Sequence, residues 1–235
     1  MEGDNKAVVI IGPEEFPFPI PLTRKGAAWQ FDTAAGRLEI LYRRIGRNEL
    51  SAIQACLAYA DAQNEYADKD RTDAGSATYA QRIVSRPGKK DGLYWPGAQG
   101  DGESPLGELM AHATTEGYAI GGDHTPSHGC YFKILTRQGP MAAGGEVDYV
   151  VRGKMIGGFA LVAYPAEYGN SGVMTFVVNY AGIRAARYDL FLNIANLENA
   201  LFRDELTLRA MGSINLCATR VLSKSLRTLK SSSSD

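Results

Sequence analysis

Residues 128–179 read HGCYFKILTRQGPMAAGGEVDYVVRGKMIGGFALVAYPAEYGNSGVMTFVVN, and this stretch decides the fold. Apolar, strand-like runs alternate in it with glycine-rich or polar punctuation. Tyr131 to Thr136 alternates in the manner of a half-buried strand and is closed by Gln138-Gly139-Pro140. Val147 to Val151 follows the Gly144-Gly145 pair, and Arg152-Gly153 is a compact turn into Met155, which predicts an antiparallel hairpin with a G1-type or type I′ connection. Met155 to Ala163 is apolar apart from Gly157-Gly158, as expected of a central strand covered on both faces. The glycine pair marks a bulge or the close approach of another element. Val173 to Val178 returns as a strand after the loop Tyr164 to Gly172.

Upstream of this stretch the pattern is helical. Leu38, Leu41 and Ile45 recur at intervals of three and four, so a helix begins near Thr33 or Gly36. Gly46 weakens it, and Asn48 is placed to cap a new start, predicting a long helix over 48–69. Leu50, Ile53, Leu57 and Ala60 form an apolar stripe, broadened by Cys56, Tyr59 and Tyr66, which implies packing on more than one side. Ser104-Pro105 fits a cap and first-turn pair for a shorter helix near 105–116. At the amino terminus, Ala7 to Ile11 and Ala27 to Phe31 read as strands. The alternating prolines of Phe16 to Leu22 permit only an extended edge between them.

Bulk properties exclude several classes. A net charge of -1 gives no field to attract nucleic acid or anionic lipid. The longest apolar run, Met155 to Pro165, is too short to span a bilayer. No glycine-rich nucleotide signature follows any strand, so no cofactor is expected. Cys56, Cys130 and Cys217 lie far apart without a CxxC pair, which favours reduced, buried thiols. The start Met1-Glu2-Gly3-Asp4-Asn5 is acidic, and the chain as written carries no signal peptide and reads as cytoplasmic.

Three groups of residues carry chemistry. The loop Tyr164-Pro165-Ala166-Glu167-Tyr168-Gly169-Asn170-Ser171-Gly172 places a carboxylate, two phenols and an amide on one glycine- and proline-shaped segment. Tyr164, Glu167, Tyr168 and Asn170 could bind a polar ligand there, or could satisfy the loop's own backbone. Tyr94 and Trp95, in Leu93-Tyr94-Trp95-Pro96, could line a pocket or pack on the sheet. His124-x3-His128-x-Cys130 offers three zinc-type ligands, against which Cys130 could turn into the core beside Phe132. A carboxylate pair of Asp148 and Glu167, or Glu167 with His128, would suit a hydrolase if their separation allowed it.

Several segments together resemble a bacterial family known as domain of unknown function 2950. They are Arg47-Asn48-Glu49-Leu50, Tyr59-x-Asp61-Ala62-Gln63-x-Glu65-Tyr66, Asp91-Gly92-Leu93-Tyr94-Trp95-Pro96 and Ser104-Pro105-Leu106-Gly107. Ile134-Leu135-Thr136-x-Gln138-Gly139-Pro140, the run from Asp148 to Ala163, and Tyr164 to Phe176 complete the resemblance, which covers roughly residues 7–182. It implies a mostly exported, envelope-associated protein with no assigned catalytic residue. His128, Glu167 and Asn170 match family motif positions, and Cys130 falls where the family typically has an aromatic residue. Family members usually carry a signal peptide and a further helical segment ahead of the region matched by Ala7. After Gly182 the texture departs from the family.

The expected architecture is therefore α+β, with an antiparallel or mixed central sheet and flanking helices. Residues 1–182 form one domain, of which 1–35 could be a small strand subdomain on a second sheet. Residues 183–235 are a divergent extension, either helical or poorly ordered. The expected function is that of a non-enzymatic envelope-type or secreted module binding an envelope protein partner or a small polar ligand. The alternative is a hydrolase using the Glu167 loop with His128 or Asp148.

Overall fold

The computed structural model describes residues 5–70, 77–96, 103–115, 125–140, 142, 144–180 and 182–186. Five short strands open the chain. They are β1 (Lys6–Ala7), β2 (Ile10–Ile11), β3 (Phe16–Pro17), β4 (Leu22–Lys25) and β5 (Ala28–Phe31). They form a three-stranded antiparallel sheet in the order β1-β4-β5 and a separate β2-β3 pair. The run Ala7 to Ile11 is thus divided between two sheets. Pro17 sits in the two-stranded β2-β3 pair, where its missing N–H breaks no ladder of a larger sheet.

The α1 helix (Thr33–Asp70) is continuous. Its amino-terminal cap is Asp32, whose Oδ1 accepts from the Ala35 amide at 3.0 Å. The expected break at Gly46-Asn48 does not occur. Gly46 costs a helix interior only about 1 kcal/mol relative to alanine, which tertiary packing outweighs, and the Asn48 side chain is engaged outside the helix.

The packed face of α1 holds Cys56 and Tyr59 of the expected broad stripe but leaves out two of its leucines. Leu50 and Leu57 are 52% and 51% exposed, while Ala52, Cys56, Tyr59 and Gln63 are buried. Apolar periodicity finds a helical face, but it does not say which flank meets the sheet. Here Ala52 and Cys56 let the helix axis approach closely. A second helix, α2 (Gly107–Thr115), follows Ser104, whose carbonyl accepts from the Gly107 amide at 2.8 Å.

The main sheet comes from the stretch quoted above. Its strands are β6 (Cys130–Leu135), β11 (Ala160–Pro165), β12 (Thr175–Asn179) and β13 (Gly182–Ala186). They are antiparallel throughout and ordered β13-β12-β11-β6. The outer strand β13 extends past Gly182, where the resemblance was expected to end. The leucine-bearing segment from residue 187 onward lies outside the described residues.

Between β6 and β11 the chain makes two small ladders, β7 (Arg137–Gln138) with β8 (Val147–Asp148) and β9 (Val150–Val151) with β10 (Lys154–Met155). Arg152 and Gly153, at φ 51° and 78°, form the type I′ connection expected there. The apolar run Met155 to Ala163 is not one strand. It breaks at Gly157-Gly158, where a Cβ on Gly157 would stand 2.4 Å from the Asp148 carbonyl oxygen. The central strand is the remainder, with Ala160 to Ala163 all buried. Because successive side chains point to opposite faces, both faces of β11 are covered.

The α1 helix packs across β11 and β12. Phe159 sits edge-on between Tyr59 and Tyr79, with ring centroids 5.8 Å and 5.0 Å away. Two buried glutamines complete the core. Gln63 bonds both backbone groups of Ala80, and Gln138 accepts from the Tyr149 hydroxyl at 2.8 Å while donating to the Gly145 carbonyl. No helix among the described residues is long and apolar enough to cross a membrane.

Candidate functional site

Three segments meet at one end of the sheet. The first is the middle of α1, where Arg44, Arg47, Asn48 and Ser51 project at spacings of three and four. The second is the turn that starts β6. Ser127 and Cys130 exchange backbone hydrogen bonds at 2.9 Å, leaving His128 and Gly129 as a two-residue hairpin turn. Both have positive φ, 49° and 70°, as a type I′ turn requires. The third is the loop after β11, in which the Ala166 amide donates to the Gly129 carbonyl at 2.9 Å and so binds the second segment to the third.

The loop is held from within and from the helix. Ser171 caps it internally, its Oγ accepting from the Glu167 amide at 2.9 Å. Ser171 N–H in turn donates to the Glu167 carbonyl at 2.8 Å. From α1, Asn48 Nδ2 donates to the Ser171 carbonyl at 2.8 Å. Glu49 Oε1 accepts the amides of Val173 and Met174 at 2.8 and 2.9 Å. Gly129 is obligatory where these parts touch, since a Cβ there would lie 2.5 Å from Asn48 Nδ2 and 2.9 Å from Ser171 Cβ.

Between the three segments lies a cleft of about 650 Å³. Arg44, Arg47, Asn48, His128, Glu167 and Asn170 line it, with Ser51, Pro126, Gly129, Ala166 and Ser171. A relay crosses its wall. Arg44 donates to Asn170 Oδ1, and Asn170 Nδ2 donates to Glu167 Oε2 at 2.5 Å. His128 is half-buried, with Nδ1 3.2 Å from the Ser127 hydroxyl.

Of the residues singled out from sequence, His128, Glu167 and Asn170 share this cleft. The others that the structure describes are placed elsewhere. Tyr164 packs its ring 5.6 Å from that of Tyr131, and burial raises its phenol. Tyr168 pairs with Gly172 across the neck of the loop. Tyr94 bridges to Val84, and Trp95 lies under the Lys90 ammonium at 5.7 Å. Asp148 is exposed on β8, opposite Arg137. His124 lies outside the described residues, so the zinc triad does too. Among the described residues no group of three His, Cys, Asp or Glu could hold a metal.

Cys130 is directed into the core, 1% exposed, and Cys56 is fully buried. Burial pushes the Cys130 thiol up to about 11, with the Glu49 carboxylate adding to it. Burial, then Cys130, pushes Cys56 up to about 12. The folded state therefore keeps protons that an unfolded chain releases above the usual value of 9.0. The thiols' contribution to stability is fully present below pH 9 and is lost as pH rises through the folded values. At about pH 8.5 neither thiol should be alkylated by iodoacetamide in the native protein, whereas both should react promptly in denaturant. Mass mapping checks this, and fast native labelling of either one would contradict it.

The fold and cleft define an α+β domain whose polar concavity is framed by one long helix and two tight turns. The profile of a family described as "Protein of unknown function (DUF2950)" matches residues 1–190, and the chain belongs to that family. No curated protein and no solved structure matches it.

Proposed function

We propose that this chain is a non-enzymatic bacterial envelope-type or secreted domain that binds a small polar ligand, or the polar end of a partner, in the cleft between α1 and the His128 and Glu167 turns. The observation that carries this reading is the convergence of Arg44, Arg47, His128, Glu167 and Asn170 on one volume of about 650 Å³. That size suits a compact metabolite, and a few convergent polar groups on a rigid frame are what orient one. The envelope placement rests on what the resemblance to this family implies, a mostly exported protein. Cell fractionation of the native host would contradict it by finding the protein in the cytoplasm.

Binding is preferred over hydrolysis because Glu167 is occupied in holding its own loop and Asp148 does not line the cleft. The presence of His128 and Glu167 in one cleft is what favours the second reading, a hydrolase using that pair. It would require turnover that is lost in both His128→Ala and Glu167→Gln.

The direct test fills the cleft. Ser51 lines it from α1, and Ser51→Trp should occupy it without touching the Asn48 and Glu49 bonds. In thermal-shift assays against neutral polyols, amines, carboxylates and phosphate monoesters, at least one class should raise the melting temperature of the wild type and leave Ser51→Trp unmoved. Failure of every class to stabilise the wild type, or equal stabilisation of the variant, would remove the reading.

A further inference from the structure

We infer that the ligand of this cleft presents an oxyanion, a carboxylate or phosphate group, to Arg47 with Arg44 beside it. This rests on the reading of the cleft as a small-ligand site and narrows it to a chemical class. The three arginines of this part of α1 have different fates. Arg43 turns away and is satisfied by Glu39 at 2.8 Å and the Pro17 carbonyl at 2.7 Å. Arg44 gives one N–H to Asn170 and keeps its other donors. Arg47 lines the cleft and has no hydrogen-bond or ion-pair partner among the described residues.

Two guanidinium groups three residues apart stand one helical turn from each other on the same face. Against them, among the described residues, the cleft wall offers a single carboxylate, Glu167, whose Oε2 already accepts from Asn170. The lining is therefore net positive before His128 is counted. A guanidinium presents a planar fork of donors that matches the paired oxygens of a carboxylate or phosphate. Asn170 is locked between Glu167 and Arg44, so the Arg44 head is held in place before any ligand arrives. His128 lines the same cleft from a turn whose geometry fixes its backbone. The volume far exceeds a lone phosphate, so the oxyanion is one end of a larger polar molecule.

The test uses the full chain and a matched set of probes in chloride buffer at constant ionic strength: inorganic phosphate, glycerol 3-phosphate, glycerate and glycerol. Isothermal titration should show saturable binding of glycerol 3-phosphate, glycerate or both, and none of glycerol. The relative strength of the two distinguishes a phosphate from a carboxylate source. Arg47→Gln, an exposed position with no structural bond, should weaken that binding by at least about tenfold with an unchanged melting temperature. Glu167→Gln, which keeps an acceptor for Asn170, should tighten it. Absence of heat from every anionic probe, or identical affinity in Arg47→Gln, overturns the oxyanion assignment. If Ser51→Trp still abolishes stabilisation by a neutral or cationic compound, the small-ligand reading survives that loss. If oxyanion binding persists in both Ser51→Trp and Arg47→Gln, the site lies elsewhere and both readings fall.

Discussion

Replacing Glu49 with alanine should destabilise the protein by about 2–4 kcal/mol, because one carboxylate oxygen is the partner of two backbone amides that have no other acceptor among the described residues. Val173 and Met174 lie where the loop after β11 turns back into β12, and both are partly buried. Truncation leaves two N–H groups without an acceptor in a setting that water reaches poorly, and each such loss costs roughly 1–3 kcal/mol. For a domain of this size that corresponds to a fall in melting temperature of about 5–15 °C. Glu49→Gln retains an oxygen at the same place but not the charge. Since charge-assisted bonds are about twice as strong as neutral ones, it should cost about half as much. Chemical denaturation of the three proteins measures the series. A Glu49→Ala variant within about 0.5 kcal/mol of the wild type would show that the loop's position does not depend on this clamp. The same variant should loosen the floor of the cleft, since Ser171, two residues from Val173, is held to the adjacent Asn48.

How far the sequence could be read depends on whether an interaction is local. The type I′ turn at Arg152-Gly153, the close approach at Gly157 and the strand from Cys130 to Leu135 follow from alternation and turn chemistry within a few residues, and all are present. The α+β class with antiparallel pairing follows from the same signals. The continuity of α1 was not legible, because Gly46 and Asn48 carry ordinary stop and start signals. What overrides them is a bond from Asn48 to Ser171, 123 residues away.

The cleft was half legible for the same reason. His128, Glu167 and Asn170 stood out as polar residues on turn-rich segments, but Arg44 carries no local mark of a site and Arg47 stood out only within the segment Arg47-Asn48-Glu49-Leu50. Nothing local says that a loop more than 100 residues later folds over them. The one available signal was the polar Arg47-Asn48-Glu49 run interrupting an apolar helical pattern, a break that a purely solvated face does not require. The aromatic candidates are a different case, for which packing on the sheet was one of the two readings from the start. Tyr94, Trp95 and Tyr164 are conspicuous by type, yet they contribute bridges, ring packing and a cation contact away from the cleft.

The largest single-residue effect is expected at the other end of α1, at Gln63. This side chain is fully buried, as are Tyr59 and Ala80, at 2% exposure each. Gln63 Nε2 donates to the Ala80 carbonyl and to the Tyr59 hydroxyl, both at 2.8 Å, and Oε1 accepts the Ala80 amide at 2.8 Å. One amide side chain thus serves in place of a strand partner for a residue of irregular chain. Gln63→Leu keeps nearly the same volume but deprives three buried polar groups of a partner. At roughly 1–3 kcal/mol per group it should cost about 3–6 kcal/mol. Tyr59→Phe removes only the hydroxyl and leaves both Ala80 bonds intact, so about 0.5–1.5 kcal/mol is expected. The ratio between the two variants is the informative quantity. A lost packing contact would affect them comparably, whereas lost backbone satisfaction makes the glutamine several times more costly. Hydrogen exchange supplies the local check, because the Ala80 amide should become one of the faster-exchanging buried amides in Gln63→Leu and stay protected in Tyr59→Phe. Equal destabilisation by the two substitutions, or continued protection of Ala80 in Gln63→Leu, would mean that the segment around Ala80 is held by its neighbours rather than by the helix.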